Sequence, residues 1–192
     1  MQKTALLIID VQQSLLDMRP YRAQEMMDAI SLLLHTARTH GREVVYVRHN
    51  DAADPMFAPH SPGWQIAGRI APQPGERVVD KQFNSAFRGT DLRDYLRQQG
   101  ITRLMVVGMM TEYCIESTVR VAGDLGFDVV LPEGANSTLD NGTLVGTRNL
   151  RAPQFRHHAR SLCRHAGRGR SRRFAGRRIS GLWKPERYTR KS

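Results

Sequence analysis

The chain has 192 residues and a formal net charge of +11, which arises from residues 148–192 because the rest of the chain is slightly acidic. This length predicts one compact domain with a substantial core. Two cysteines are too few for a disulfide scaffold and fit a reducing cytoplasm. No apolar run approaches the ~20 residues of a membrane span, and the first residues lack the pattern of a secretory signal. We therefore expect a cytoplasmic protein without membrane segments.

Strand and helix signals alternate along residues 1–147. This pattern predicts a three-layer α/β/α fold of the Rossmann-like type, with a mainly parallel sheet. Short apolar runs predict five strands, at residues 5–9, 43–47, 77–79, 104–107 and 128–131. Apolar residues at helical spacing predict a helix that ends near Gly41, a helix capped by Thr90 and Gly100, and a helix from Cys114 to Leu125. The proline-rich residues 50–75 are predicted to form a long loop, and loops of that length are usually functional.

Cys114 lies where the fourth predicted strand turns into a helix, because Gly108 ends the strand and helical spacing follows. Unpaired N–H groups and the positive end of the helix dipole favour a thiolate at such a position, and a thiolate is a nucleophile at neutral pH. A small buried core residue is the commoner role of a free cysteine. Taken by itself, Cys114 favours that core interpretation.

Two charged residues change the interpretation of Cys114. Asp10 and Lys81 each follow an apolar strand, where a charge is costly unless it is paired or functional. The carboxyl ends of parallel strands line one crevice, which is where ligands bind. Lys81 would favour the thiolate of Cys114, and Asp10 could accept the thiol proton and return it to a leaving group. The alternative is an Asp10–Lys81 ion pair that only holds two strand ends together.

These residues and their surroundings resemble the isochorismatase-like cysteine hydrolases, a family that includes nicotinamidases and other amidases. Three motifs in order support the resemblance: LLIIDVQ at Leu6–Gln12, KQFNSAFRGTDL at Lys81–Leu92 and GMMTEYC at Gly108–Cys114. The stretch Ser61–Trp64 is similar to the family's substrate-side loop. The match runs from about Thr4 to about Gly142, and it places the family domain in residues 1–147.

The resemblance implies a catalytic triad of Asp10, Lys81 and Cys114. It also implies a cis peptide between Met109 and Met110, and an oxyanion hole made by the backbone N–H groups of Met110 and Cys114. The implied reaction cleaves a C–N bond of a small amide or ureide through an acyl-thioester intermediate. The resemblance further implies a homo-oligomer, a dimer or tetramer. We expect no cofactor.

Three further residues are weaker candidates for binding the small-molecule substrate. Trp64 either walls the substrate pocket or packs on the domain surface. Tyr113 lies beside the nucleophile in the sequence. Gln12 either orients Asp10 by a hydrogen bond or is a solvated residue that starts the next segment.

We expect no metal site in this chain. Nicotinamidases carry an Asp-x-His pair and a second His after the second strand. Here His49, Asp51 and His60 occupy that stretch in a different arrangement. Nicotinamidase activity is thereby less favoured.

Residues 148–192 depart from the family, which places a further helix and a sixth strand there. This tail holds 15 of the 29 Lys and Arg residues and one of the 18 acids, a net charge of +14 against −3 for residues 1–147. Its Arg-, Gly- and Ser-rich composition is typical of a GC-rich gene read out of frame, so we expect a poorly packed ending. A genuine basic arm for nucleic acid or membranes is the alternative. A non-catalytic protein of the same fold that binds a small molecule or a polyanion is the competing function.

Overall fold

The computed structural model of the protein describes residues 2–140, so the predictions for residues 148–192 lie outside the described residues. A five-stranded sheet forms the centre of the described chain, and every neighbouring pair of strands is parallel. The strands follow the order β3-β2-β1-β4-β5 across the sheet. In chain order they are β1 (Thr4–Ile9), β2 (Glu43–His49), β3 (Arg77–Lys81), β4 (Arg103–Gly108) and β5 (Asp128–Val130).

Within residues 2–140, four α-helices, one 3₁₀ turn and one π-helical turn connect the strands. The α-helices are α1 (Gln13–Asp17), α2 (Ala23–Thr39), α3 (Leu92–Gln98) and α4 (Glu116–Asp124). A 3₁₀ turn covers Gly68–Ile70, and a single π-helical turn, Thr111–Ile115, leads directly into α4. No helix among residues 2–140 is both long enough and apolar enough to cross a membrane.

The sheet is covered on both faces because successive side chains of a strand point to opposite sides. In β1, Leu6 and Ile8 pack on one face against α1 and α2, whereas Leu7 and Ile9 pack on the other face against α3 and α4. Both faces are therefore dry, which explains why β1 is apolar throughout rather than alternating. The predicted three-layer α/β/α architecture is confirmed.

The element boundaries differ from the sequence prediction in a few places. Strand β3 extends to Lys81, which pairs alongside His49 of β2 and so lies inside the strand rather than after it. Helix α3 begins at Leu92 and ends at Gln98, one residue shorter at each end than caps at Thr90 and Gly100 predict. The Thr90 hydroxyl still accepts from the Leu92 N–H at 3.4 Å, while it donates to the Ala86 carbonyl in the preceding loop. The short helix α1 was not predicted, because five residues carry little periodicity.

Candidate active site

Asp10 enters the site from the carboxyl end of β1. Its backbone adopts a left-handed conformation with φ of 51°, and its N–H donates to the Val47 carbonyl of β2 over 2.9 Å. Such a conformation is uncommon for a residue other than glycine and is frequent at functional sites. The turn directs the carboxylate into the protein, where only 2% of the side chain is exposed.

Lys81 enters the site from the carboxyl end of β3, and its side chain is completely buried. Its ammonium nitrogen lies 2.7 Å from Asp10 Oδ2, which makes an ion pair shielded from water. A buried ammonium is costly unless opposite charge and hydrogen-bond acceptors surround it. The carboxylate of Asp10 supplies that charge.

Cys114 reaches the same place from the turn after β4. Gly108 ends that strand, the Met109–Met110 peptide is cis as the resemblance implied, and the π-helical turn then carries Cys114. The Cys114 sulfur lies 3.3 Å from Lys81 Nζ. The lysine therefore touches both the carboxylate and the thiol.

The structure brings together the three side chains that the sequence predicts to converge. They come from β1, from β3 and from the turn after β4, and all three lie at the carboxyl edge of the parallel sheet. The Asp10–Lys81 ion pair of the alternative interpretation is also present, but Lys81 does not serve it alone, since it also contacts Cys114. The catalytic roles of the three residues stay a prediction.

The surroundings of Cys114 favour the protonated thiol, whereas a helix start by itself would favour the thiolate. Burial raises the pKa of Cys114, the negative charge of Asp10 raises it further, and the contact with Lys81 lowers it only in part, leaving the pKa at about 12. A group of this kind becomes a nucleophile only when a base removes its proton. The sequence indicated the helix start and the lysine correctly but did not reveal the burial.

One carboxylate oxygen of Asp10 is positioned to accept that proton. Its Oδ2 is taken by Lys81, whereas Oδ1 is buried and has no hydrogen-bond partner among residues 2–140. A buried carboxylate oxygen without a partner is costly and calls for an explanation. Acceptance of a proton during the reaction is such an explanation.

The turn before Cys114 is held by the segment after β5, which runs beside the end of β4 through a bridge between Gly108 and Asn136. Gly108 donates its N–H to Ala135, and the backbone N–H and the hydroxyl of Thr111 both donate to the Ser137 carbonyl. No acceptor within residues 2–140 takes the Met110 N–H. This N–H is therefore available to an oxyanion. The part played by Ser137 was missed, since nothing in the sequence marks a contact 26 residues beyond Thr111.

Gln12 takes neither of its two predicted roles. It is fully buried, and its side-chain oxygen accepts from the His49 N–H over 2.9 Å. Its amide nitrogen donates to the carbonyls of His49 (3.0 Å) and Trp64 (2.9 Å). These bonds use the amide to join the end of β2 to the loop after it, so Gln12 fixes the backbone around the site and does not bond to Asp10.

The other two weak candidates differ in exposure. Trp64 is 6% exposed, and the Arg48 guanidinium lies 3.3 Å from the centre of its ring. Trp64 is therefore covered by Arg48, which agrees with packing beneath the surface loop rather than with an open pocket wall. Tyr113 is 43% exposed. A half-exposed ring next to the nucleophile leaves Tyr113 as the better candidate for a substrate contact.

His49 is a site residue that the sequence analysis considered only as a possible metal ligand. Its Nδ1 lies 3.2 Å from Lys81 Nζ, and its ring packs edge-on against Phe57. Its position as the last residue of β2, in register with Lys81, is the signal that could have found it.

Among residues 2–140, no group of three or more His, Cys, Asp and Glu side chains is arranged to hold a metal ion. His60 is on the exposed surface of the loop and packs against Trp64. His49 is directed instead toward Lys81.

Comparison with known proteins gives the same assignment as the motifs. The Isochorismatase domain model matches residues 4–154. Streptothricin hydrolase of Streptomyces noursei is 38% identical over 138 residues, which covers 71% of this chain and 50% of that protein. The chain thus spans about half the length of that relative. Ureidoacrylate amidohydrolase RutB of Variovorax paradoxus is 28% identical over 179 residues, covering 73% of this chain and 71% of that protein.

A solved structure also matches the fold. The crystal structure of an isochorismatase from Pseudomonas putida KT2440 superposes with a TM-score of 0.73 at 30% identity. The superposition covers 77% of this chain and 79% of that one. The family resemblance predicted from the three motifs is therefore confirmed.

Proposed function

We propose, from the premise that the chain belongs to the isochorismatase family, that it is a cysteine-dependent hydrolase of a small amide or ureide. The observation that carries the proposal is the position of the Lys81 ammonium, 2.7 Å from the Asp10 carboxylate and 3.3 Å from the Cys114 sulfur. A buried acid, a buried cation and a thiol in contact are the parts that nucleophilic catalysis needs.

In the first half of the reaction, Cys114 becomes acylated. Asp10 Oδ1 accepts the thiol proton while the sulfur attacks the carbonyl carbon of the substrate. The N–H groups of Met110 and Cys114 hydrogen-bond to the oxyanion that forms, and each such donor is typically worth about 3 kcal/mol. Asp10 then gives the proton to the departing nitrogen, the C–N bond breaks, and a thioester remains on Cys114.

In the second half, water releases the product. Asp10, again ionised, takes a proton from a water molecule, whose oxygen attacks the thioester carbonyl. The tetrahedral intermediate uses the same two N–H groups. Its collapse returns the proton to the Cys114 sulfur and frees a carboxylic or carbamic acid. Lys81 holds its charge throughout and stabilises whichever of Asp10 and Cys114 is the anion.

The names of the relatives support a C–N bond as the target. One relative is named as a hydrolase of streptothricin, and another as an amidohydrolase of ureidoacrylate. The presence of a thiol nucleophile agrees with cleavage of an amide or ureide, since acyl transfer to sulfur is a step that such bonds undergo.

The +14 charge of residues 148–192 favours a second candidate function. A protein of this fold with such a tail could bind a polyanion without turnover. In that case binding of duplex DNA by the full chain would weaken steeply with salt, and Cys114→Ser would leave it unchanged.

We also propose that the protein works in the cytoplasm as a homo-oligomer without a cofactor. Two cysteines in 192 residues fit a reducing compartment. Light scattering after size-exclusion chromatography would measure the oligomeric state, and a monomer at micromolar concentration would contradict this part of the proposal.

The test of the hydrolase is a panel of small amides and ureides assayed for release of ammonia or amine. Cys114→Ser should lower kcat by about 10³-fold or more, since the nucleophile and its base act as a unit. Cys163→Ser is the matched control and should retain full activity. If the Cys114→Ser variant still hydrolyses a panel compound at the parental rate, the acyl-thioester mechanism is contradicted.

A further inference from the structure

His49 completes the surroundings of the Lys81 ammonium. An ammonium has three hydrogens and no acceptor. Three acceptor atoms lie within hydrogen-bond distance of Lys81 Nζ: Asp10 Oδ2 at 2.7 Å, His49 Nδ1 at 3.2 Å and Cys114 Sγ at 3.3 Å. Each hydrogen therefore has one partner, and the side chain of Lys81 is completely buried from water.

The fold holds the His49 ring in this place from several sides. His49 and Lys81 are register partners on β2 and β3. Gln12 bonds to both the N–H and the carbonyl of His49, and Phe57 packs edge-on against the ring at 4.9 Å between centroids. These contacts fix the backbone and the ring orientation together, as expected for a side chain whose position matters.

The ring accepts from Lys81 only when it is neutral. An ammonium can donate but not accept, so Nδ1 carries the lone pair and Nε2 carries the hydrogen. Burial lowers the pKa of His49, and the positive charge of Lys81 lowers it further, against the opposite effects of Asp10, Asp51 and Asp54. The surroundings thus favour the neutral ring that the contact requires.

We infer that His49 is a positioning residue of the hydrolase, whose Nδ1 takes the third hydrogen of the Lys81 ammonium and so directs the other two at Asp10 and Cys114. This inference rests on the proposed function for its catalytic consequence. It goes beyond the triad because His49 hydrogen-bonds to Lys81 and acts on Cys114 and Asp10 only through that contact.

Removal of the His49 Nδ1 acceptor should weaken the hydrogen bond between Lys81 and Cys114. A buried ammonium with one unsatisfied hydrogen is destabilised. The ammonium then turns toward another acceptor. This change reduces its attraction for the Cys114 thiolate, so the thiol should react more slowly at a given pH.

The test compares variants of similar size in a Cys163→Ser background. His49→Asn places an oxygen at the position of Nδ1, whereas His49→Leu places a methyl group there. The first readout is the rate of Cys114 alkylation by iodoacetamide at pH 8, which needs no substrate. His49→Leu should lower this rate about tenfold, the effect of a one-unit rise in the thiol pKa. His49→Asn should stay within about threefold of the parent, a shift of half a unit or less.

The second readout is turnover of a hydrolysed panel compound. His49→Leu should lower kcat about tenfold or more, as expected for loss of a charge-assisted hydrogen bond, with KM little changed. His35→Leu, at an exposed position on α2, is the matched control and should leave both readouts unchanged. If His49→Leu fails to fold, His49→Gln takes its place in the test. The glutamine oxygen lies one bond farther from the backbone than Nδ1 does, so the same losses are expected.

Two results would overturn the inference. One is a parental alkylation rate and kcat in folded His49→Leu or His49→Gln. The other is an equal loss in His49→Asn and His49→Leu, which would show that the ring only packs against Phe57. Because alkylation is measured without substrate, a failure of the hydrolase proposal would leave the alkylation comparison standing on its own.

Discussion

Gly108 lies so close to Ile9 that a Cβ atom on Gly108 would fall 2.0 Å from the Ile9 carbonyl oxygen. The two residues are register partners on β4 and β1, and the same carbonyl accepts the Met109 N–H over 2.9 Å. Gly108 also has φ of 121°, a conformation that side chains rarely adopt. The backbone that leads to Cys114 therefore depends on the missing side chain.

We expect Gly108→Ala to be severely destabilising. The clash is with backbone atoms that belong to the central strand and cannot move aside, and the positive φ adds strain. The free energy of unfolding should fall by on the order of 4 kcal/mol or more, which urea denaturation would measure. Gly68→Ala is the control, because a Cβ there meets nothing within 4 Å. A free energy of unfolding for Gly108→Ala close to that of the parent would contradict the close contact between Gly108 of β4 and Ile9 of β1.

The reactivity of Cys114 should rise steeply with pH. Burial and Asp10 raise the thiol pKa to about 12, so the neutral form dominates below that value. The thiolate fraction, and with it the rate of iodoacetamide alkylation in Cys163→Ser protein, should increase about tenfold per pH unit between pH 7 and 9. A plateau by pH 8 would instead indicate the thiolate that the helix start alone predicts.

The Asp10–Lys81 pair should have separable structural and catalytic effects. Lys81→Met leaves the buried carboxylate without a counter-charge and should cost about 3–5 kcal/mol in the free energy of unfolding. The double variant Asp10→Asn/Lys81→Met removes both charges and should recover most of that stability. Hydrolysis should be lost in both variants. Lys81→Met removes the cation that stabilises the anionic forms of Asp10 and Cys114, and the double variant also removes the carboxylate that transfers the proton.

Activity in either of these variants would support the alternative in which the ion pair only joins two strand ends. Stability is measured by chemical denaturation and activity with the same panel compound, so the two effects are read independently.

Activity should not depend on a metal ion. The one ring nitrogen of His49 that faces the site accepts from the Lys81 ammonium, and a nearby cation disfavours a second one. Prolonged dialysis against a chelator should leave kcat unchanged within error. If turnover is lost on dialysis and returns on addition of Zn²⁺, Mn²⁺ or Fe²⁺, then His49, Asp51 and His60 contribute to a metal site.

Much of the site could be predicted because its parts are tied to strand ends. Asp10 and Lys81 lie at the ends of apolar runs, and Cys114 follows a strand that Gly108 ends. Since parallel strands end at one edge of a sheet, these local signals bring the three residues together once the sheet is assumed. The triad and the three-layer fold therefore needed only short-range patterns and the family motifs.

The contacts that tune the site could not be predicted in this way. Gln12 bonds to residues 37 and 52 positions away, and His49 meets Lys81 across 32 positions. No local pattern carries such pairings, because they follow from strand order and register. Sequence patterns therefore allowed Gln12 either a hydrogen bond to Asp10 or a solvated position, and they raised His49 only as a possible metal ligand.

The succession of strands and helices along the chain, the apolar faces of the sheet and the chemical groups at its carboxyl edge could all be inferred from the sequence. These features follow from periodicity, which is a property of neighbouring residues. Only the tertiary structure shows that burial and Asp10 raise the pKa of the Cys114 thiol, that a side chain at Gly108 would clash with Ile9, and that Lys81 has a third acceptor. The physical reason is that desolvation, close backbone approach and hydrogen-bond partners depend on what the rest of the chain places around each residue.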